Sequence, residues 1–510
     1  MQGRKKKGWI HVHPFAMLMK MKSYDYYYLA KRNVLPDAEF RNRIPGIVKK
    51  GSKIHISAVC GKAMASVACL LKDFGCVVTG SDTAFHPPMG GVLKSRGIIC
   101  LPPTVENLNN IDLVVIGNAL SHDSLEVVEA RKRNIPMISG PEALAEVFRH
   151  KRTMVVTGTH GKTTTSGLLT HVFLESDKEP AYMIGGVFQK SDDSYSSGSK
   201  DSKFAILEGD EYNCAFFDRA PKFLRYNATS AILTSVEHDH VDLYPTFEDY
   251  RQSFQFLVDD LPKDGFLVIH ESVLENIDVS KCVAKVAVYG RLPISDFYYE
   301  INKVDSSGTT FFLKTNNFGE IKNIHIPLFG EYNVENATAV CALSLHEGIS
   351  KDELLKALKN FAGTKERQEL LGMRGDIALI RDYAHHPTAV DVTLKALRLR
   401  YPGKRMVAVF EPRSASSRRK VFEERYAESL KNADVTIVIS PVFKETENRS
   451  EMIDTLNIQG ILQAANKIAY SVISNLEAFD IISKETISND VVVFMSSGDM
   501  DGIPKKFLGL

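Results

Sequence analysis

At 510 residues the chain is too long for a single hydrophobic core, and its length predicts about three domains. Apolar residues make up 44% and charged residues 25%, as in ordinary soluble globular proteins, and a formal net charge of +1 excludes a global field toward nucleic acid or membrane. The cysteines (Cys60, Cys69, Cys76, Cys100, Cys214, Cys282 and Cys341) form no CxxC or zinc spacing, which reads as reduced thiols in a cytoplasmic chain, and no apolar run approaches a membrane span.

Residues 1–50 read as an extension. Arg4, Lys5, Lys6 and Lys7 precede Trp9, and Tyr24, Tyr26, Tyr27 and Tyr28 follow, but no apolar core or small-residue cleavage site makes this a signal peptide. A partly ordered tail is expected, with a partner-binding arm as the alternative. From Ile54 the pattern turns to strand, glycine turn, helix and strand: Ile54-His55-Ile56, then Lys62 to Phe74, then Cys76-Val77-Val78, with another apolar run at Asp112 to Gly117. This alternation predicts a Rossmann-like parallel α/β domain over 51–149. Its turn, Ala58-Val59-Cys60-Gly61-Lys62-Ala63-Met64-Ala65, and the acid at Thr79-Gly80-Ser81-Asp82 echo a dinucleotide fingerprint, but Ala58 and Ala65 stand where that fingerprint needs glycine.

A second block, 150–366, opens with Thr153-Met154-Val155-Val156 running into a glycine-rich turn, and carries further strands at Phe204 to Leu207 and Ser230 to Leu233. It predicts a central parallel sheet of the P-loop ATPase type. A small β-rich insertion follows, about Phe297 to Leu328, before a helix at Asn333 to Leu345. The third block, 367–510, alternates strands at Ile377 to Arg381, Arg405 to Phe410, Val435 to Ile439 and Val491 to Met495 with helices such as Val390 to Arg400, and reads as a second Rossmann-like domain. Linkers are expected near Ser139-Gly140 and Gly363 to Gly372.

The chemistry concentrates first in Gly158-Thr159-His160-Gly161-Lys162-Thr163-Thr164-Thr165, between a strand and a helix. Glycines let backbone N–H groups turn toward phosphate oxygens, and the helix N-terminus adds partial positive charge. Lys162 can reach β/γ-phosphates, and the Thr163 hydroxyl is placed for Mg²⁺. The acids of Glu208-Gly209-Asp210-Glu211, at the end of a neighbouring strand, suit the same ion, which prefers a few protein oxygens plus phosphate and water.

A general Walker loop has a further glycine where this chain has Val156. The shorter G-T-x-G-K-T-T form resembles the Mur ligases and their folylpolyglutamate synthetase relatives. The resemblance runs from about Ile54 to near the C-terminus. It implies ATP and Mg²⁺ as cofactors, with Gly158 to Thr164 around the phosphates and Glu208 on magnesium. Thr234-Ser235-Val236-Glu237-His238-Asp239-His240-Val241-Asp242 is similar to the family's T-N-x-x-x-D-H-x-D, which gives His240 a second metal and puts Ser235 in place of asparagine. Gly330-Glu331-Tyr332-Asn333-Val334-Glu335-Asn336 resembles G-x-H-N-x-x-N, implying that Asn333 and Asn336 meet adenine, with Tyr332 replacing histidine. Phe361 to Glu369 resembles the F-x-G-x-x-x-R-x-E hinge, placing Arg367 at the γ-phosphate, and Asp382-Tyr383-Ala384-His385-His386-Pro387 resembles D-Y-x-H-H-P, placing Asp382 at the ribose. Lys162, Glu208, His240 and Arg367 are thus the expected catalytic set. The first domain resembles the family's UDP-binding domain, implying contacts from Gly61, Ser81, Asp82 and Asn118.

Several runs are similar to the branch of the family that attaches the recycled peptide L-alanyl-γ-D-glutamyl-meso-diaminopimelate to UDP-N-acetylmuramate: Val59-Cys60-Gly61, Pro87-Pro88-Met89, Ile116-Gly117-Asn118-Ala119 and Phe410-Glu411-Pro412-Arg413-Ser414. That likeness implies activation of the muramate carboxylate as an acyl phosphate, attack by the peptide amine, and peptide contacts from Arg413 and Ser414. Asp499 and Asp501 are expected to face a substrate ammonium. The alternatives are addition of free L-alanine and, from another class, a ligase-derived protein that binds UDP-sugar or ATP without turnover, suggested by Ala58, Ala65, Ser235 and Tyr332. Nucleic acid and membrane insertion are not expected.

Overall fold

The computed structural model describes residues 46–191, 193–241, 243–442 and 448–509. Nearly all of the 1–50 extension, including its basic and tyrosine runs, lies outside the described residues, as does Asp242. Among the described residues, no helix is long and apolar enough to cross a membrane.

Among the described residues, three large sheets and one two-stranded hairpin carry the fold. The first holds β1 (Lys53–Ser57), β2 (Val77–Ser81), β3 (Ile99–Leu101), β4 (Leu113–Ile116) and β5 (Met137–Ser139) in the order β3-β2-β1-β4-β5, all parallel. Continuous apolar runs such as Leu113-Val114-Val115-Ile116 are buried throughout, as a sheet covered on both faces requires. Helix α1 (Lys62–Phe74) stops at Gly75, whose left-handed φ of 107° lets its N–H close on Leu71 and Lys72 carbonyls. α2 (Leu125–Lys132) follows β4, and α3 (Gly140–Val147) follows β5 directly.

That last junction corrects the linker expected near Ser139-Gly140. Ser139 accepts from the Glu142 N–H, Glu142 returns a bond to the Ser139 N–H, and Pro141 sits in the first turn: a capping box starts a helix there. The connection lies further on, between Val147 and Arg152.

The central sheet has ten strands in the order β17-β16-β15-β14-β13-β12-β6-β9-β7-β8. Its parallel middle is β6 (Arg152–Thr157), β7 (Ala181–Met183), β9 (Phe204–Gly209), β12 (Ser230–Leu233), β13 (Phe266–His270) and β14 (Lys285–Gly290); β8 (Tyr195–Ser196) pairs antiparallel at one edge, and a hairpin of β10 (Asn213–Ala215) and β11 (Asp218–Pro221) stands apart. The β-rich stretch forms β15 (Phe297–Asp305), β16 (Gly308–Thr315) and β17 (Gly319–Ile326), but β15 pairs parallel with β14, so the hairpins extend the central sheet instead of standing apart as an insertion. Helices α4 (Lys162–Glu175), α5 (Phe247–Asp260), α6 (Glu331–His346) and α7 (Lys351–Asn360) accompany it.

The third sheet, in the order β18-β19-β23-β20-β21-β22, is parallel except for its first strand. It comprises β18 (Glu369–Arg374), β19 (Ile377–Asp382), β20 (Met406–Glu411), β21 (Val435–Ile439), β22 (Ile468–Val472) and β23 (Val491–Ser496), with α8 (Pro387–Arg400) and α9 (Glu423–Leu430) among its helices. Because β18 already begins at Glu369, the flexible connection expected to reach Gly372 is shorter. It carries Gly363 at φ 94° and two non-glycine residues in the left-handed region, Glu366 at φ 59° and Gln368 at φ 46°. Such backbone costs about 1–3 kcal/mol per residue and persists only when held. Here the Gln368 N–H donates to Asp382 (2.8 Å), the Tyr383 N–H to the Glu366 carbonyl (2.8 Å), and Arg381 to the Glu366 carboxylate (2.8 Å).

A buried polar knot fixes the first sheet. Glu126 on α2 accepts from Ser57 and Ser81 hydroxyls (2.5 Å each) and the Asn107 amide (2.9 Å), and lies 3.3 Å from His55, which is fully buried. Burial alone would push the Glu126 carboxyl up; the four hydrogen-bonding partners outweigh it and hold it at about 2. A depressed carboxyl pKa stabilises the fold above its ordinary value of 4.5, and the benefit is lost as pH falls toward 2. Glu126→Ala is therefore expected to destabilise the first unfolding transition in urea by roughly 3 kcal/mol near neutral pH. The gap from wild type should shrink as pH falls from 4.5 toward 2; a gap independent of pH would contradict the ionised knot.

Candidate active site

β6 delivers the chain into a turn that only glycine fits at two points. Gly158 has φ 126° and a Cβ there would lie 2.3 Å from the Thr234 hydroxyl; Gly161 has φ 81° and its Cβ would meet the Asn336 amide oxygen at 2.6 Å. α4 then starts at Lys162 with no side chain capping it, leaving its first N–H groups facing the cavity. The turn is braced from the loop after β12. Thr234 donates to the His160 carbonyl (2.6 Å), Ser235 accepts from the His160 N–H (2.9 Å), and the Thr159 hydroxyl donates to the Glu237 carbonyl (2.9 Å).

Lys162 curls over this turn. Its ammonium donates to the carbonyls of Gly158 (2.6 Å) and Thr159 (3.2 Å) and to the buried Glu211 carboxylate (2.8 Å). Burial would depress its pKa, but Glu211 and the neighbouring acids outweigh burial and raise it, so Lys162 stays cationic. Thr163 donates to one oxygen of Glu208 (2.8 Å); the other accepts from Ser166 (3.0 Å) and the Gly185 N–H (2.6 Å). Thr163 and Glu208 thus present adjoining hard oxygens beside a helix N-terminus, a donor set that fits Mg²⁺. Arg367 comes from the hinge to within 3.3 Å of the Thr163 hydroxyl, its guanidinium 4.6 Å over the Tyr383 ring.

These groups line one cavity of about 620 Å³, bounded by the carboxyl ends of strands from the central and third sheets, where open α/β sheets bind ligands. Thr164, Asp382 and Ser414 join its wall. His240 does too, with its Nε2 4.0 Å from both the Glu211 and the Asp239 carboxylates, and the nearer Glu211 oxygen is buried without a hydrogen-bond partner. Asn333 donates its amide to the Phe329 carbonyl (2.8 Å) and Asn336 to Asn333 (3.3 Å), which orders this wall. Both oxygens of Asp382 accept backbone N–H groups, from Gln368 and Ala384 at 2.8 Å each, so the carboxylate sets the hinge, and burial pushes its pKa up.

The residues expected to hold the UDP-sugar are not in this cavity. Ser81 is fully buried with its hydroxyl on Glu126, and Asp82 accepts from the Cys60 and Thr83 N–H groups (2.8 Å each); both residues line a small hollow of about 60 Å³. Gly61 and Asn118 are exposed. The first domain does reach the central site through Lys62, whose ammonium donates to the Gly185 carbonyl (2.9 Å). Arg413, half exposed, lies 4.0 Å from Glu411 and 3.9 Å from Asp499, while Asp501 accepts from Asn475 (2.5 Å). The two acids expected to await a substrate ammonium already face partners of this chain.

Two groups carried no expected role and are central. Glu237 accepts from His160 (2.8 Å), Thr388 (2.9 and 3.0 Å) and Arg425 (2.5 Å), tying the phosphate-type turn to the third domain. Burial opposes its charge, but these partners hold its carboxyl well below the ordinary range. His386 packs 4.9 Å from His160, ring to ring, and burial with the His160 charge pushes its pKa down to about 3. Only the clustering of histidines in the turn and in the Asp382–Pro387 run hinted at them.

The chain matches three family profiles: Mur ligase family, catalytic domain, over residues 53–152; Mur ligase middle domain over 156–344; and Mur ligase, glutamate ligase domain, over 366–498. It is 31% identical over 464 residues to a UDP-N-acetylmuramate–L-alanyl-γ-D-glutamyl-meso-2,6-diaminoheptandioate ligase of Escherichia coli strain K12, covering 89% of this chain and 97% of that one. It is 32% identical over 461 residues to a UDP-N-acetylmuramate–L-alanine ligase of Lactobacillus delbrueckii subsp. bulgaricus, covering 90% and 98%. Among solved structures, a murein peptide ligase from Psychrobacter arcticus superposes with a TM-score of 0.65 at 28% identity, covering 90% of this chain and 98% of that one.

Adding a methyl at Gly158 forces a left-handed side chain, costing roughly 1–2 kcal/mol before the clash with Thr234. Gly158→Ala is expected to weaken binding of a fluorescent ADP analogue about tenfold or more. Unchanged affinity in that titration would remove the turn from the nucleotide site.

Proposed function

Because the chain belongs to the Mur ligase family, whose members are ATP-dependent, ADP-forming amide ligases, we propose that it joins the carboxylate of UDP-N-acetylmuramate to the amine of L-alanyl-γ-D-glutamyl-meso-diaminopimelate, using ATP and Mg²⁺. The observation that carries this reading is the meeting of Lys162, the Thr163–Glu208 oxygen pair and Arg367 in one cavity. Those groups supply a cationic, N–H-lined cradle for phosphates, a hard-oxygen site and a guanidinium delivered from the hinge.

In the proposed cycle the muramate carboxylate is activated as an acyl phosphate, and the peptide amine then displaces phosphate to give the amide. Mg²⁺, held by Thr163 and Glu208, would neutralise phosphate charge, and the unpartnered oxygen of Glu211 with His240 offers a place for a second ion. Lys162 exchanges its carbonyl and Glu211 contacts for phosphate oxygens. Arg367 meets the charge that develops on the transferred group, where a pre-aimed guanidinium counts most. The third domain closes the cavity with Tyr383, Ser414 and Ser497, protecting the acyl phosphate from water. Domain limits of 51–149, 150–366 and 367–510 fit this division of labour.

Two of the four substitutions that suggested a protein without turnover, Ser235 and Tyr332, have uses in the site. Ser235 accepts the His160 N–H, and the Tyr332 hydroxyl takes the Gln368 amide at the hinge. A second reading, transfer of free L-alanine, is favoured by the comparably similar L-alanine ligase of L. delbrueckii; the Phe410–Ser414 run favours the peptide. Incubation with UDP-N-acetylmuramate, ATP, Mg²⁺ and either amine, followed by mass spectrometry, separates them: the tripeptide adduct and ADP are expected, and an L-alanine adduct alone would reverse the choice. Lys162→Ala should abolish product while circular dichroism stays native, and Arg367→Ala should lower kcat by roughly 10²–10³. Wild-type turnover in either variant would refute the site.

A further inference from the structure

His160, Glu237 and His386 meet where the phosphate-type turn faces the third domain. One ligand atom from each lies within 4.8 Å of the others. They come from three places in the fold: the turn after β6, the loop after β12 and the N-cap of α8. His386 is 4% exposed, yet neither ring nitrogen has a hydrogen-bond partner. A buried imidazole left in that state has lost water on both nitrogens with nothing in return. Its ring stands beside His160 at 4.9 Å and against the Phe422 ring at 5.1 Å, and one of its open nitrogens belongs to the cluster.

Glu237 is already aimed. Arg425 (2.5 Å) and Thr388 (3.0 Å) hold one carboxylate oxygen from the third domain, while the other accepts from Thr388 (2.9 Å) and faces the His160 Nε2 at 2.8 Å. Outer hydrogen bonds that orient a carboxylate in this way accompany most metal-ligating acids. Asp239, also buried, adds negative charge near His386.

We propose that His160, Glu237 and His386 form a binding site for a divalent transition cation of the zinc class, bridging the phosphate-type turn to the third domain. Two imidazoles and one carboxylate suit zinc and its neighbours and disfavour Mg²⁺, which takes oxygen ligands. This separates the site from the all-oxygen Thr163–Glu208 pair. In a tetrahedral zinc site the ligand atoms stand roughly 3.3 Å apart. Filling this one therefore draws the rings in by an amount that side-chain rotation and a slight closing of the third domain supply. All three residues line the cavity, so the fourth position opens to water or to an anionic oxygen of a bound substrate. The site would make occupancy by the cation and closure of the third domain one linked equilibrium, independent of turnover.

The test is calorimetric titration of the metal-free full chain with Zn²⁺ in excess Mg²⁺, followed by Co²⁺ substitution. One equivalent of Zn²⁺ is expected to bind, and Co²⁺ should give the visible absorption of a four-coordinate nitrogen–oxygen site. His386→Asn should weaken binding about tenfold or more and remove that absorption. Because His386 is buried, Glu237→Gln, at a side chain 31% exposed, provides a second variant with the same expected loss, and melting curves in chelator check both folds. Absence of Zn²⁺ binding, or binding unchanged in both folded variants, would overturn the proposal and leave His386 a histidine hydrated in its pocket.

Discussion

The site depends on how a buried positive charge is kept in place before any phosphate arrives. The phosphate-type turn and the start of α4 present N–H groups and a lysine to a cavity lined by acids. Lys162 resolves the imbalance by folding back onto the Gly158 and Thr159 carbonyls and onto Glu211. The pair leaves Glu211 with one oxygen satisfied and the other facing His240 at 4.0 Å. A ligand carrying several negative charges can take over Lys162 and leave an acid and an imidazole for a cation. The resting arrangement is thus a set of interactions that a metal–phosphate complex can replace almost group for group.

Closure is built from strain and long-range pairing. Glu366 and Gln368 hold left-handed backbone between two sheets, and bonds from Asp382, Tyr383 and Arg381 fix them there. That geometry carries Arg367 to Thr163. On the opposite side of the turn, Glu237 joins His160 to Thr388 and Arg425. The third domain therefore grips the turn from both flanks, through a guanidinium at one and a shared carboxylate at the other.

The three-domain α/β architecture and the turn itself are legible in the sequence because they rest on local rules. Buried parallel strands read as apolar runs such as Val491–Ser496, and the glycine, lysine and threonine spacing around Gly158 implies its own backbone. Sequence is less legible where one local signal has two meanings or where the partner is distant. Ser139-Gly140 reads as a breaker, yet Glu142 turns the serine into a helix cap. Ser81 ends a strand beside a small hollow, and only Glu126, far along the chain, shows which way its hydroxyl turns. The orientation of His240 toward Glu211, the filled valences of Asp382 and the His160–Glu237–His386 cluster all need tertiary placement, which no spacing encodes.

The most direct measurement is a crystal structure of the chain with a non-hydrolysable ATP analogue and Mg²⁺. The account predicts the triphosphate in the turn from Gly158 to Thr163, Lys162 moved from Glu211 onto phosphate oxygens, and the ion on Thr163 and Glu208. A well-ordered nucleotide bound elsewhere, with Lys162 still on its own carbonyls and Glu211, would contradict it.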